Sequence, residues 1–184
     1  MVTAPRVLVV AATAKELTAG DGWCGALCGV GPVEAAVNGA RAIAEYRPDA
    51  VLQVGIAGAR RSAAMAPGTL VIGSASYYAD LGPLPAAWAV RQIDTTPALL
   101  QAVSTAFPAA RVSPIATTSR VAGTHEGEVE AMEGFGVLRA AQAAGIPAIE
   151  VRAISNEIEE ADRTRWHFDL AFRTITDATP ALVQ

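Results

Sequence analysis

Residues 6–13, with the sequence RVLVVAAT, form a continuous apolar run that is rich in β-branched side chains. A strand with one solvent-exposed face would alternate between apolar and polar residues, so this run indicates a strand that is covered on both faces. Residues 50–56 (AVLQVGI) and 147–155 (PAIEVRAIS) have a similar character. A sheet built from such strands needs helices on both of its faces, which predicts an α/β fold.

The rest of the chain alternates between strand-like and helix-like patterns. Further strands are predicted at residues 23–28, 69–78 and 111–118, and helices at residues 33–46, 97–107, 126–144 and from about 161 onward. The apolar stripe of the first helix is expected to comprise Val33, Ala36, Val37, Ala40, Ile43 and Ala44. Residues 80–85, rich in glycine and proline, are expected to form a loop. The pattern predicts a three-layer αβα sandwich with a mainly parallel mixed central sheet, as one domain over residues 1–184.

The charge and hydropathy of the chain narrow the class of ligand. A net charge of −4 and the absence of a lysine or arginine block argue against nucleic acid, because phosphate neutralisation dominates such binding. The sequence has no apolar run of about 18 residues and no pattern of a cleaved signal, so we expect no membrane association and a cytoplasmic location. A small molecule is therefore the expected ligand.

Metal-binding residues are few. Cys24 and Cys28 are the only cysteines, and His125 and His167 are the only histidines. These residues do not predict a zinc-type ligand cluster. We interpret the two cysteines as reduced thiols that pack as small apolar groups.

Ligands of parallel sheets bind at the carboxyl ends of the strands, so residues near or just after the carboxyl ends of the predicted strands are the first candidates for function. These candidates are Glu16, Ala57, Gly58, Arg152, Ser155 and Asn156, and the segment 130–134 of the later helix adds Met132 and Glu133. Each has an ordinary structural interpretation when it is taken alone. Glu16 would be a first-turn helix carboxylate, Glu133 a solvated helix charge and Asn156 a turn or cap residue.

The combination is more specific than its parts. In chain order the sequence contains A-x-x-x-E (12–16), G-V-G (29–31), V-G-I-A-G (54–58), E-x-M-E-G (130–134) and V-R-A-I-S-N (151–156). This order resembles the nucleosidases that cleave methylthioadenosine and adenosylhomocysteine, in the purine nucleoside phosphorylase superfamily. Those enzymes have aspartate where this chain has Asn156. The asparagine, the segment E-G-F-x-V-L-R-A-A (133–141) and the motif D-R-x-x-W (162–166) resemble the futalosine hydrolase branch, which acts in an alternative menaquinone pathway.

The resemblance implies a role for each matched residue. Glu16 matches the carboxylate that activates water, and Arg152 matches an arginine that helps to hold that water. Glu133 matches the glutamate that binds the ribose 2′- and 3′-hydroxyls, with Met132 packed on the sugar. Asn156 matches the residue that faces purine N7.

Other matched segments are implied to contact the substrate. Residues 117–122 match the loop that meets the purine, with Val121 in place of an aromatic stacking residue. Ala57, Gly58 and Ser155 are grouped with the substrate-binding residues. The resemblance also implies a nucleoside phosphorylase-like fold, a small nucleoside substrate, a homo-oligomer of two or more copies, and a reaction that needs no cofactor or metal.

Several activities stay open at this point. Cleavage of an N-ribosyl bond develops positive charge on the sugar and negative charge on the base, and a carboxylate near C1′ with a donor near N7 serves both ends. Hydrolysis is favoured over phosphorolysis, because a glutamate after the first strand would repel phosphate, although Arg60 and Arg61 after the Gly58 turn keep a phosphorylase open. A nucleosidase that acts on methylthioadenosine, adenosylhomocysteine or aminodeoxyfutalosine is another alternative. A nucleoside-binding protein without catalysis is the third, because an amide replaces the usual acid.

Overall fold

The computed structural model describes residues 5–82, 85, 87–122 and 126–184. Within this part of the chain the strands are β1 (Val7–Ala11), β2 (Trp23–Leu27), β3 (Ala50–Ala59), β4 (Leu70–Tyr78), β5 (Gln92–Asp94), β6 (Arg111–Thr117), β7 (Val129–Ala131) and β8 (Ala148–Glu157). The α-helices are α1 (Pro32–Tyr46), α2 (Pro97–Ala106), α3 (Gly134–Ala143) and α4 (Phe168–Leu182). His125 and part of the predicted loop at 80–85 lie outside the described residues.

The strands form one mixed sheet in the order β2-β1-β3-β7-β6-β4-β5. Strand β8 pairs in parallel with β3 and antiparallel with β4, so the strands β3, β7, β6, β4 and β8 are joined in a ring. The pairs β1/β2, β1/β3, β4/β6 and β6/β7 are also parallel. The predicted mainly parallel mixed sheet is confirmed.

Strand β1 shows how the layers arise. Leu8 and Val10 pack into a core cluster with α1 and α3, whereas Val9 and Ala11 pack into a second cluster with α2 and α4. All four side chains are fully buried. Because alternate residues of a strand point to opposite faces, the continuous apolar run requires helices on both faces, and the three-layer arrangement follows.

Helix α1 buries a face that shares only Ile43 with the predicted apolar stripe. Its buried residues are Ala35, Gly39, Ala42 and Ile43, whereas Val33 and Val37 are exposed. Helix α3 packs closely enough that the position of a side chain on Gly39 would lie 3.6 Å from the Cα of Val137. Close helix contact selects small residues, so the larger valines of the stripe point away from the core.

The predicted helix at 126–144 was wrong in its first half. Residues Val129–Ala131 form β7, which pairs with β3 and β6, and α3 begins at Gly134. The last helix begins at Phe168 instead of about residue 161, and a short 3₁₀ helix at Arg163–Arg165 precedes it. Strand pairing overrode the local helix pattern in the first case, which sequence periodicity cannot reveal. No described helix is long and apolar enough to cross a membrane.

Candidate active site

A cavity of about 410 Å³ opens beside the carboxyl ends of β1, β3 and β8. Its wall includes every residue that the sequence singled out as a candidate except Arg152. The lining residues are Ala12, Thr13, Glu16, Val30, Ile56, Ala57, Gly58, Val121, Glu130, Ala131, Met132, Glu133, Ser155, Asn156, Arg163, Trp166, Phe168 and Phe172. Residues far apart in the chain therefore meet in one place.

Glu16 lies in the turn that follows β1, where a helix start was expected. One carboxylate oxygen, Oε2, accepts hydrogen bonds from the backbone N–H of Thr13 at 2.9 Å and from its hydroxyl at 2.8 Å. The other, Oε1, accepts from the N–H of Ile56 at 3.3 Å. The side chain is only 4% exposed, so these donors fix the carboxylate at the cavity wall.

Glu133 occupies the N-cap position of α3 without a side-chain capping hydrogen bond and is 5% exposed, which corrects the interpretation as a solvated helix charge. Its Oε1 accepts from the N–H of Gly31 at 3.2 Å, and its Oε2 accepts from Nη1 of Arg152 at 3.2 Å. The helix N-terminus also favours a negative charge at this position. Met132, next to it, is partly buried and lines the cavity.

Arg152 lies beneath the cavity wall, because β8 directs its side chain into the interior and leaves it fully buried. Its Nε donates to Oε1 of Glu150 at 2.8 Å, and Nη1 donates to Glu133. Burial alone would lower the pKa of the guanidinium, but the Glu150, Glu133 and Glu16 carboxylates outweigh burial and raise that pKa above its ordinary value. Arg152 therefore stays positively charged, and its charge interacts with the carboxyl groups of Glu150, Glu133 and Glu16.

Asn156 lies within β8 and not after it, because β8 extends to Glu157. Its Oδ1 accepts from the hydroxyl of Ser155 at 2.7 Å, and its Nδ2 donates to the carbonyl of Glu157 at 2.9 Å. The pairing of β3 and β8 shifts register between Ala57 and Gly58, which is a β-bulge. Bulges re-aim side chains near functional sites, and here the bulge lies beside the amide.

Small residues open the cavity on this side. A side chain on Gly58 would approach Nδ2 of Asn156 to 3.1 Å. Ala57 is buried and Val121 partly buried, and both line the wall. The loop next to Val121 includes Ala122 at a φ of 57°, in the left-handed region.

Sequence reasoning missed a third buried acid of the cavity wall and most of an aromatic wall. Glu130 is buried in the cavity wall, and its Oε1 accepts from the N–H of Ala122 at 2.8 Å. Phe168 and Phe172 lie one turn apart at the start of α4, with ring centroids 6.1 Å apart, and Trp166 lies 5.4 Å from Phe168. The sequence signal that could have revealed this wall was the pair Phe168 and Phe172, four residues apart and directly after D-R-x-x-W.

Two cations lie over the aromatic wall formed by Trp166, Phe168 and Phe172. The guanidinium of Arg163 is 5.6 Å from the Trp166 ring centroid, and Nζ of Lys15 is 5.7 Å from that of Phe172. Within the described part of the chain, neither cation lies within ion-pair distance of a carboxylate. This part of the cavity wall is therefore apolar with cations beside it, whereas Glu16, Glu130 and Glu133 contribute carboxyl groups to the rest of the wall.

The buried thiol of Cys28 is not a nucleophile. Burial, and then the nearby Glu133 carboxylate, raise its pKa to about 12, so the thiol stays neutral. Cys24 and Cys28 are both free. Among the described residues no cluster of three or more histidine, cysteine, aspartate or glutamate side chains is arranged to hold a metal ion.

The family follows from comparison with known proteins. The model of the phosphorylase superfamily matches residues 17–184. The chain therefore belongs to the phosphorylase superfamily.

Among its relatives, the chain is 37% identical to futalosine hydrolase from Streptomyces coelicolor, over 88% of this chain and 79% of that protein. Two solved structures share its fold. Futalosine hydrolase of Helicobacter pylori superposes with a TM-score of 0.85 at 15% identity, covering 98% of this chain and 97% of that chain. The methylthioadenosine/adenosylhomocysteine nucleosidase of Colwellia psychrerythraea, in complex with adenine, gives 0.85 at 17% identity, covering 98% and 95%.

Proposed function

We propose that this chain is a futalosine hydrolase, which cleaves the N-ribosyl bond of futalosine and releases hypoxanthine and dehypoxanthine futalosine in the alternative menaquinone pathway. The observation that carries the proposal is the convergence of Glu16, Glu133 and Asn156 on one cavity. The 37% identity to a futalosine hydrolase supports the choice of substrate.

Glu16 is proposed as the general base. Its carboxylate faces the cavity and accepts hydrogen bonds from Thr13 and Ile56, which hold it in one orientation without neutralising it. A base held in this way takes a proton from water as the water attacks C1′, a contribution of about 10²- to 10⁴-fold in rate. Cleavage then needs neither a metal nor a cofactor.

Glu133 is proposed to bind the ribose diol, with Met132 packed on the sugar. Charge-assisted hydrogen bonds from two vicinal hydroxyls to one carboxylate are strong and orient the ring. Arg152 donates to the same carboxylate from below. We propose that Arg152 acts through Glu133, since it is buried beneath the wall, and that any contact with water is secondary.

Asn156 is proposed to face the purine. Hypoxanthine presents two neighbouring acceptors, N7 and O6, as guanine does in the major groove of DNA. One hydrogen of the Asn156 amide is used on the Glu157 carbonyl, and the other is free to donate to the base. An amide is not an acid, so the site suits a 6-oxopurine, which leaves readily as an anion. Ala57, Gly58, Ser155 and Val121 would complete this side of the cavity.

The aromatic wall suits the 5′ carboxyphenyl substituent of futalosine. Its rings offer stacking surface for the phenyl group, and Arg163 at its edge offers a partner for the carboxylate. A methylthio group would use neither feature. The aromatic wall therefore favours futalosine over methylthioadenosine as the substrate.

Hydrolysis is favoured over phosphorolysis by the placement of the arginines. Arg60 donates to the carbonyl of Gly127 and lies 3.6 Å from Glu159, and Arg61 pairs with Glu157 at 2.7 Å. Neither arginine lines the cavity. Near C1′ a phosphate ion would meet the carboxylates of Glu16 and Glu133, which repel it.

We further propose that the protein is a homo-oligomer, as a dimer or larger assembly. Four large apolar side chains are exposed along the end of β2 and the outer face of α1, with Val33 70% exposed: Leu27, Val30, Val33 and Val37. Val30 also lines the cavity, so a second copy seated here would border the site. Sedimentation of the native protein and of Val33→Asp would test this, with dissociation expected for the variant.

A purine-release assay tests the activity. Futalosine, incubated with the protein with and without inorganic phosphate, is expected to release hypoxanthine at the same rate in both. Release only with phosphate would identify a phosphorylase. Binding of futalosine without release would identify a nucleoside-binding protein.

A further inference from the structure

A fully buried carboxylate lies behind the proposed sugar site and has no place in the mechanism above. Glu150 is on β8, two residues before Arg152, and has no solvent exposure. Its Oε1 accepts from Nε of Arg152 at 2.8 Å, while Nη1 of the same guanidinium donates to Glu133 at 3.2 Å. One arginine thus connects a carboxylate of the cavity wall to one in the interior.

We propose that Glu150 is a positioning residue, which acts through Arg152 to fix the direction of the Glu133 carboxylate toward the ribose. The proposal rests on the proposed function, in which Glu133 binds the sugar. Glu150 itself touches no substrate, because it is not part of the cavity wall.

The geometry of arginine supports this role. A guanidinium is planar, so an acceptor on Nε fixes the plane and therefore the direction in which Nη1 points. Glu133 has only two hydrogen-bond donors in the described structure, Gly31 N and Arg152 Nη1, both at 3.2 Å. Loss of the Nε acceptor would free one of the two groups that orient this carboxylate.

The chain makes room for Glu150 at the residue that follows Glu133. Gly134 is the first residue of α3, and a side chain there would overlap the carboxyl group of Glu150. The dipeptide Glu133-Gly134 and the tripeptide Glu150-Val151-Arg152 therefore form a matched set. Glycine at 134 lets the interior carboxylate lie directly behind the sugar-binding residue.

The role depends on an acceptor oxygen and not on charge. Burial raises the pKa of Glu150 above its ordinary value, although Arg152 opposes the shift and Glu133 adds to it. The other titratable groups that face this cluster are Glu16 and Cys28. A neutral acid, a carboxylate and an amide all offer an oxygen to Nε, so Glu150→Gln is the conservative variant and Glu150→Met removes the acceptor at similar volume.

The test compares a riboside with a free base. For Glu150→Met we expect the KM of futalosine to rise about tenfold, the effect of one charge-assisted hydrogen bond, with no change in the Kd of hypoxanthine. Glu150→Gln should restore the KM to within about twofold of the native value, since it keeps the acceptor. Glu133→Ala supplies the reference for complete loss of the sugar contact.

A matched control separates positioning from general damage to the core. Gln53 is fully buried and lies opposite Glu150 in the register of β3 and β8, so Gln53→Met disturbs the same layer of the core. The amide of Gln53 donates to the carbonyl of Val54 and makes no hydrogen bond with Arg152 or Glu150, so this variant should keep the native KM. If Glu150→Met does not fold, Glu150→Asp withdraws the acceptor by one methylene, and it should weaken futalosine more than Glu150→Gln does.

Two results would overturn the inference while the proposed function stands. One is equal loss for futalosine and hypoxanthine in Glu150→Met, and the other is equal KM values for the Asp and Gln variants. Failure of the native protein to release hypoxanthine would instead refute the proposed function itself.

Discussion

The carboxyl group of Glu150 occupies the space in which a side chain at position 134 would lie. Gly134 begins α3 and Glu150 lies on β8, so the contact joins a helix N-terminus to the sheet beneath it. The φ angle of Gly134 is not positive, and glycine is therefore required by space and not by backbone conformation.

Gly134→Ala should destabilise the protein by about 1–3 kcal/mol, the usual effect of overpacking a core. The effect should be much smaller in a Glu150→Ala background, where the space is free, and a double-mutant cycle from urea unfolding measures this coupling. Gly136→Ala is the control, since its side chain would meet the backbone of Pro32 and Ala36 instead. If the Glu150 change rescued both variants equally, the proposed contact would be wrong.

Glu16→Gln should lower kcat by at least about 100-fold, because an amide cannot accept the proton of water. We also expect the Glu16→Gln variant to be modestly less stable than the native protein. Both oxygens of Glu16 accept hydrogen bonds from backbone N–H groups, and an amide nitrogen cannot accept them. Single-turnover hypoxanthine release and thermal unfolding measure the two effects. Glu45→Gln, on the exposed face of α1, is the control. Near-native kcat in Glu16→Gln would make Glu16 a structural residue only.

The native protein should have a higher kcat/KM for futalosine than for aminodeoxyfutalosine, and Asn156→Asp should shift this ratio toward the amino substrate. In the variant one carboxyl oxygen would lie at the position of Nδ2, 2.9 Å from the carbonyl of Glu157, which favours the protonated acid. Such an acid supplies the proton that an adenine-type leaving group needs. A native enzyme that is faster on aminodeoxyfutalosine would contradict the assignment of the base.

Arg163→Gln should raise the KM of futalosine about tenfold, through loss of one charge-assisted contact, and leave an analogue with an unsubstituted phenyl group unaffected. Arg165→Gln is the matched control, because Arg165 is exposed and pairs with Glu160 instead. Steady-state kinetics on both substrates give the answer. An equal rise in KM for the two substrates would mean that Arg163 stabilises the aromatic wall and does not bind the carboxylate of the substrate.

Stability should depend on pH through Glu150. Its folded pKa lies above the ordinary value of 4.5, chiefly because of burial, so its favourable contribution is complete below that pH and is lost as pH rises through the folded pKa. Glutamine has no such proton. The unfolding free energy of the native protein should therefore fall relative to that of Glu150→Gln as pH rises above 4.5, in parallel urea titrations. A difference that stays constant with pH would contradict the raised pKa.

The sequence by itself determined the layers of this fold and eight of the 18 residues that line the cavity. An apolar run such as β1 has to be buried on both faces, and residues at the carboxyl ends of parallel strands have to meet at one edge. Glu16, Ala57, Gly58, Ser155 and Asn156 follow from these two rules. Met132 and Glu133 were found through the resemblance of their motif, although they were expected within a helix and not at its start.

Only the tertiary structure decided which contacts each of these groups makes. Strand β7 forms because β3 and β6 offer partners to a three-residue segment, and local periodicity does not contain that information. The same holds for the buried face of α1, which depends on how closely α3 approaches. Arg152 and Glu150 lie inside the protein because α3 covers the face of β8 from which they project, with Gly134 directly against Glu150, so these polar groups must pair with one another and not with solvent.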